Sequence, residues 1–220
     1  MEITEEDFKI FDRKEFTFKQ INENYPKKEI EEIKNSYKTV WLKWKNLQNE
    51  VCMQLIDDEI FGKPKIESWT NGWNLRNHFW SAYRGVERQE ENACAAVLMN
   101  CKQIQIYLMF QHYKSDRRKG TKEDYNHLLK AIPAWSQHID TADYYIWRQQ
   151  DPELENHLPL KNYLEDSAIQ KQFQESLEGG TFQLGKIFYR GIELNNLEDE
   201  IAESLKELAP LYLLLDTRNR

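Results

Sequence analysis

The longest regular pattern of apolar positions predicts a helix from about residue 26 to residue 56. Apolar residues recur there at steps of three and four, which places them on one stripe of an α-helix. The acidic residues 57–59 are unfavourable at the negative end of a helix dipole, so we expect the regular helix to fray before them. The stripe consists of Ile30, Ile33, Tyr37, Val40, Trp41, Trp44, Leu47, Val51 and Leu55.

Alternating patterns predict five strands, at residues 77–84, 93–99, 103–113, 143–148 and 181–190. Segments 93–99 and 103–113 are joined by about three residues, which favours an antiparallel hairpin. One face of 103–113 is apolar and predicts core: Ile104, Ile106, Leu108 and Phe110. The other face is too polar for a core and too aromatic for an ordinary solvated surface: Gln103, Gln105, Tyr107, Met109, Gln111 and Tyr113.

The remaining segments are predicted to be helical. A short helix begins at Thr121 and ends near Pro133, a second stretch runs over 159–178 with a break at Ser167, and the last helix begins near Asn196. The order of elements favours one α+β domain over residues 1–220. It would hold an antiparallel sheet of about five strands, with the long N-terminal helix and the C-terminal helices packed on one face. The open face of such a sheet would carry Tyr107 and Gln111.

Composition narrows the classes of function. Apolar residues make up 40% of the chain, enough to bury a real core. A formal charge of −7 argues against non-specific nucleic-acid binding, which requires a basic surface. The three cysteines do not suggest a disulfide framework, which fits a reducing compartment. We find no signal peptide and no membrane-length apolar run, so we expect a cytoplasmic protein without a membrane partner.

Residues 69–88 form the richest candidate binding segment, since tryptophan and tyrosine alternate there with arginine. Aromatic rings stack on flat ligands, and guanidinium groups grip carboxylates or phosphates in two places. With residues from other strands, the candidate ligand-binding set is Trp73, Arg76, Trp80, Tyr83, Arg84, Tyr107, Gln111, Tyr189 and Arg190. The alternative is that the rings pack the sheet against the long helix while the arginines pair with carboxylates. Side chains of Arg76 or Arg84 more than about 15 Å from Arg190 would argue against one compact pocket.

No motif indicates a catalytic, metal or cofactor site. The five histidines are scattered, and no helical metal pair is present. There is no GxSxG, P-loop or GxGxxG, and eight glycines leave little material for such loops. We therefore predict no metal and no cofactor, and we favour a protein that is not an enzyme.

Three segments carry a resemblance to a known family: WNLRNHFWSAYRG at 73–85, CAAVLMN at 94–100 and YLMFQHY at 107–113. Over most of its length the chain resembles a family of small, uncharacterised bacterial proteins whose members are sometimes labelled glucose-6-phosphate 1-dehydrogenase. That resemblance implies a bacterial protein and brings no defined active site. True glucose-6-phosphate dehydrogenases carry an Arg-Ile-Asp-His-Tyr-Leu-Gly-Lys segment, whereas the nearest string here, residues 138–144, lacks the lysine and the spacing.

Three functions therefore stay open. The first is a binding module that uses an aromatic and arginine-rich sheet face or cleft for a small anionic planar ligand, a nucleotide or a base. The second is a protein–protein interaction module or homo-oligomer, because Tyr, Trp and Arg also dominate interface hot spots. The third is an enzyme, and the motifs do not support the dehydrogenase label for it.

Overall fold

A seven-stranded antiparallel sheet forms the centre of the protein in a computed structural model, which describes residues 2–56, 59–152, 154, 157–192 and 196–215. The strand order across the sheet is β1-β2-β3-β4-β7-β5-β6, and each neighbouring pair is antiparallel. The strands are β1 (Lys65–Ile66), β2 (Phe79–Tyr83), β3 (Ala93–Met99), β4 (Gln103–Phe110), β5 (Tyr144–Arg148), β6 (Leu158–Pro159) and β7 (Phe182–Tyr189). The predicted α+β class with an antiparallel sheet is confirmed.

The predicted number of about five strands is wrong. The five predicted segments correspond to β2, β3, β4, β5 and β7, and the predicted hairpin of β3 with β4 is present. The two additional strands, β1 and β6, lie at the sheet edges and contain two residues each. Two residues cannot display an alternating pattern, so their membership in the sheet depends on tertiary contacts rather than on local sequence.

The α-helices of the described residues are α1 (Glu5–Phe8), α2 (Phe18–Asn24), α3 (Lys27–Gln54), α4 (Lys122–Asn126), α5 (Ile132–Trp135), α6 (Leu160–Glu165), α7 (Ser167–Ser176) and α8 (Leu197–Leu213). Helices α3 and α8 contact each other, α3 contacts β2, and α8 contacts β3 and β4. They cover the sheet face that carries Ile104, Ile106 and Leu108, which we call the first face. None of these helices combines the length and the apolar character needed to cross a membrane.

The apolar stripe of α3 enters the core as predicted, and the helix ends at Gln54, before the acidic residues. Two of those acids, residues 57 and 58, lie outside the described part of the chain. Two polar contacts fix α3 on β2: the Trp44 indole donates to Ser81 Oγ at 3.1 Å, and the Tyr83 hydroxyl donates to Gln48 Oε1 at 2.8 Å. The Trp44 indole and the Tyr83 hydroxyl thus find partners inside the main core.

Two predicted helix boundaries need correction. The helical region that begins at Thr121 does not end near Pro133, because α5 places this proline in its first turn, where a missing N–H is harmless. The break between α6 and α7 lies at Asp166, whose carboxylate accepts from the backbone amides of Ala168 and Ile169. Ser167 is therefore the first helical residue rather than the cap.

Arg88 fixes the carboxyl-terminal end of α8. Its guanidinium lies over the Tyr212 ring, 4.1 Å from the centroid, and donates to the carbonyl oxygens of Tyr212 at 2.9 Å and Leu215 at 2.8 Å. The Glu91 carboxylate accepts from Arg88 Nε at 2.7 Å. Arg88 thus satisfies carbonyl groups that a helix end leaves without intrahelical partners.

The opposite face of the sheet, which we call the second face, is not the open surface that the alternation suggested. Tyr107 is 3% exposed, and Gln103 and Gln105 are almost fully buried. Side chains of neighbouring strands pack on one another here in a second cluster. It consists of Trp80, Ala82, Cys94, Ala96, Leu98, Tyr107, Met109, Trp147 and Ile187.

Candidate functional site

A concavity of about 270 Å³ lies on the second face, and we call it the second-face cleft. Buried side chains of the sheet form its floor, and half-buried or exposed side chains form its rim. Its lining residues are Glu67, His78, Trp80, Leu98, Tyr107, Met109, Gln111, His112, Tyr113, Gln149 and Gln183. Pockets for drug-sized ligands measure about 300–1,000 Å³, so this cleft is slightly smaller than such pockets.

Two hydrogen-bonded aromatic residues form the centre of the floor. The Trp80 indole donates to the Tyr107 hydroxyl at 3.2 Å, and the rings of Tyr107 and Trp147 lie 5.7 Å apart. Gly185 of β7 is paired with Tyr107, and a Cβ there would lie 2.7 Å from the Tyr107 Cβ and would overlap the Ile106 carbonyl oxygen. A residue without a side chain therefore lets the strands approach where Tyr107 is held.

Arg84 orients one amide of the rim. Its Nε donates to the Glu91 carbonyl oxygen at 2.9 Å, and its Nη2 donates to Gln111 Oε1 at 2.6 Å. A guanidinium has no acceptor, so the Gln111 atom that faces Arg84 is the amide oxygen. The amide nitrogen of Gln111 consequently points away from Arg84.

A second hydrogen-bonded group comes from the ends of β4, β5 and β7. Thr181 Oγ1 donates to Gln149 Oε1 at 2.7 Å and lies 2.9 Å from His112 Nε2. Burial lowers the pKa of His112, the charge of Lys122 lowers it further, and the hydrogen bond with Gln149 partly opposes both. His112 therefore favours the neutral imidazole near pH 7.

The rim near β1 and β2 holds an ion pair beside a histidine. The Arg76 guanidinium lies 2.6 Å from the Glu67 carboxylate. Burial, together with the charge of Arg76, lowers the pKa of His78 to about 4. At neutral pH this end of the cleft thus presents an uncharged imidazole next to a neutralised ion pair.

The structure brings some of the predicted site residues together and separates others. Trp80, Tyr107 and Gln111 line the second-face cleft, while Arg84 and Arg76 each contact one lining residue. Two others lie away from it: Trp73 is 85% exposed, and Tyr83 is buried in the main core, where its hydroxyl contacts Gln48.

Tyr189 and Arg190 lie at the other end of the sheet. They line a separate concavity of about 510 Å³, where Arg190 pairs with Asp12 at 2.9 Å. The Arg190 amide donates to Lys102, just before β4, whereas Arg84 contacts Gln111, just after it. β4 is on the order of 25 Å long, so the nine predicted residues do not share one compact pocket. The ligand-binding role of each stays a prediction.

The sequence interpretation missed the histidines and two of the three glutamines of the cleft. Gln183 and Gln149 reach it because β7 places Gln183 opposite Trp147. Only the strand register reveals this arrangement, since a shift of one residue would turn both side chains over. His112 is next to Gln111 in sequence, but no spacing marked it as part of a site. Within the described ranges, no group of three or more His, Cys, Asp or Glu side chains is arranged to hold a metal ion.

Comparison with known proteins assigns a family. The model of one protein family matches residues 3–215. The chain belongs to this family. It is also similar to an uncharacterized protein of Haemophilus influenzae, with 29% identity over 217 residues that cover 96% of this chain and 97% of the relative. The similarity therefore extends over the whole fold. It includes a bacterial protein and indicates no specific activity.

Proposed function

We propose that this protein is a binding module in which one α+β domain, residues 1–220, holds a planar, nucleotide-like ligand in the second-face cleft. The observation that carries the proposal is the joint presence of coupled aromatic rings and oriented amides in one concavity. Tyr113, which is 69% exposed, supplies an accessible ring beside the floor rings of Trp80 and Tyr107, and Gln111 and Gln149 supply the amides. Rings that accept stacking, combined with a few polar groups that fix orientation, are typical of small-molecule sites.

The base of such a ligand is better supported than its phosphate. Two guanidinium groups that contact lining residues are already engaged, Arg76 with Glu67 and Arg84 with the Glu91 carbonyl and Gln111. A phosphate that bound to either of these groups would have to displace the Glu67 carboxylate or draw Arg84 out of its buried position, and both steps oppose binding. The side chains of Gln111 and Gln149 are half-buried and carry no charge that a ligand would have to displace, whereas the Trp80 and Tyr107 rings of the floor are 7% and 3% exposed.

The proposal places the protein in the cytoplasm of a bacterium. The three cysteines, Cys52, Cys94 and Cys101, are all free. Burial raises the pKa of the Cys94 thiol, which keeps it protonated and unreactive. Free thiols are typical of a reducing compartment.

A thermal-shift assay tests the proposal with free bases, nucleosides, nucleotides and short single strands at millimolar concentration. Ligand at about ten times its Kd stabilises the native state by about 1.4 kcal/mol. For a chain of this size, that corresponds to a rise in Tm of about 3–6 °C. No shift with any of these compounds would refute the proposal.

A matched pair of variants locates the binding. Tyr113 and Trp73 are both exposed aromatic residues, but only Tyr113 lines the cleft. Loss of an aromatic stacking partner removes about 1–3 kcal/mol of binding free energy. Tyr113→Ala is therefore expected to weaken binding at least about fivefold, whereas Trp73→Ala leaves it unchanged. Equal effects of the two changes would place the ligand elsewhere.

A protein–protein module or homo-oligomer is the second candidate, and one groove favours it. Met53, Ile56, Val86 and Leu213 are exposed apolar residues that line a groove of about 910 Å³ beside the end of α3. Clustered apolar side chains on a surface mark interaction sites more often than scattered ones do. Light scattering at two protein concentrations tests the homo-oligomer, and a strict monomer at both would exclude it.

An enzyme is the third candidate, through the dehydrogenase label of the resembled proteins. Hydride transfer from a nicotinamide requires a strand, a glycine turn and a helix, or an equivalent cradle. The strands described here are antiparallel, and Gly185 lies inside β7 rather than in a turn before a helix. Incubation with NADP and glucose 6-phosphate, followed at the nicotinamide absorbance, tests this function directly.

A further inference from the structure

The orientation of the two held amides determines which edge of a ligand the cleft can accept. Gln111 and Gln149 both line the cleft, whereas their partners Arg84 and Thr181 do not. In each case the amide oxygen faces the partner: Gln111 Oε1 accepts from Arg84, and Gln149 Oε1 accepts from the Thr181 hydroxyl. The two amide nitrogens are left on the other side of each planar group.

The orientation of the Gln111 amide follows from its partner Arg84, which can only donate hydrogen bonds. Arg84 is 4% exposed and donates only, so turning the amide over would place two donors against each other in a buried position. For Gln149, the amide oxygen accepts from the Thr181 hydroxyl at 2.7 Å, and the same hydroxyl oxygen lies 2.9 Å from His112 Nε2. Neither amide nitrogen has a hydrogen-bond partner among the described residues.

We propose that the second-face cleft selects planar heterocycles with ring carbonyl oxygens, of the uracil or hypoxanthine class, over amino-substituted rings of the cytosine or adenine class. Two fixed N–H donors complement carbonyl acceptors and oppose exocyclic amino groups, which are donors themselves. Arg84 and Thr181 act as positioning residues, since each sets an amide without lining the cleft. This inference rests on the proposed function and adds the class of its ligand.

Isothermal titration with uracil and cytosine, and in parallel with hypoxanthine and adenine, measures the selectivity. A donor facing a donor in a buried site leaves both unsatisfied, so we expect a preference of about tenfold or more for the oxo compounds. Comparable binding of both classes would overturn this inference and leave the proposed function intact. Binding of neither class at millimolar concentration would overturn both.

An isosteric variant provides the decisive control. Gln111→Glu keeps an oxygen against Arg84, with an added ionic attraction, and replaces the amide nitrogen on the side away from Arg84 with an acceptor. We expect this change to weaken uracil and strengthen cytosine, so that the preference narrows about tenfold or reverses. Gln149→Glu is the second variant, with the same expected direction.

Gln137→Glu matches the change in charge at an exposed position outside the cleft. It is expected to leave both affinities as they are in the wild type. Circular dichroism spectra and melting curves of each variant establish that it is folded before its affinities are compared. Unchanged selectivity in folded Gln111→Glu and Gln149→Glu would overturn the inference.

Discussion

Arg88 connects the loop after β2 to the end of α8, and its removal should weaken the fold more than any surface change. Arg88 and Glu91 are each 5% exposed, so their ion pair is buried. We consider Arg88→Met, which keeps much of the length and apolar volume of the side chain and removes the charge. The change also removes the donors to the carbonyl oxygens of Tyr212 and Leu215.

The expected magnitude follows from the buried pair. Removing one partner of a buried ion pair costs about 3–5 kcal/mol, because the other charge loses its compensation inside the protein. The lost hydrogen bonds to α8 are part of the same network, so their contributions do not simply add. At about 2–4 °C per kcal/mol for a chain of this size, the Tm should fall by about 6–20 °C.

The assay is urea and thermal unfolding followed by circular dichroism. Arg117→Met is the control, since Arg117 is exposed on a 3-10 turn and surface substitutions change stability by less than about 0.5 kcal/mol. Adding Glu91→Gln to Arg88→Met should recover part of the loss, because it removes the uncompensated charge. A loss for Arg88→Met no larger than that for Arg117→Met would refute the reasoning.

Two further changes test the second-face cleft by stability alone. Gly185→Ala should lower the free energy of unfolding by about 1–3 kcal/mol, because its new methyl group meets Tyr107 and the Ile106 carbonyl of β4. Urea titration measures this loss, and an unchanged urea midpoint would contradict the close approach of the strands. His78 has a folded pKa of about 4, below its unfolded value of about 6.5, so the stability it contributes is complete above pH 6.5 and is lost as the pH falls toward 4. Melting temperatures of wild type and His78→Gln between pH 7.5 and 4 should therefore show a smaller decline in the variant, and identical declines would contradict the shifted pKa.

Much of the fold was predictable because its long segments show a clear period in their apolar residues. The stripe on α3 and the alternation in β4 each span enough residues to distinguish a period of 3.6 from a period of 2. Strands β1 and β6 offered two residues each and were not predictable. The predicted break at Ser167 lies one residue after the observed N-cap at Asp166, and helix boundaries commonly differ by one or two residues.

The candidate site was predictable only in part, because it depends on pairings between distant segments. Trp80, Tyr107 and Gln111 were identified from aromatic and amide content on predicted strands. The partners of the arginines decided the rest: Arg84 is committed to Gln111 and the Glu91 carbonyl, and Arg190 to Asp12. With 37 acidic residues in the chain, sequence alone could not tell which carboxylates would be close enough to pair.

The position of α8 has a consequence for how the chain folds during synthesis. This helix is the last element described, yet it packs across β3 and β4 in the middle of the sheet. The part of the first face over β3 and β4 therefore stays uncovered on a nascent chain until residues 197–213 have left the ribosome. An apolar sheet face that stays in contact with solvent favours aggregation. Termination of translation before α8 should therefore yield an insoluble product that chaperones retain.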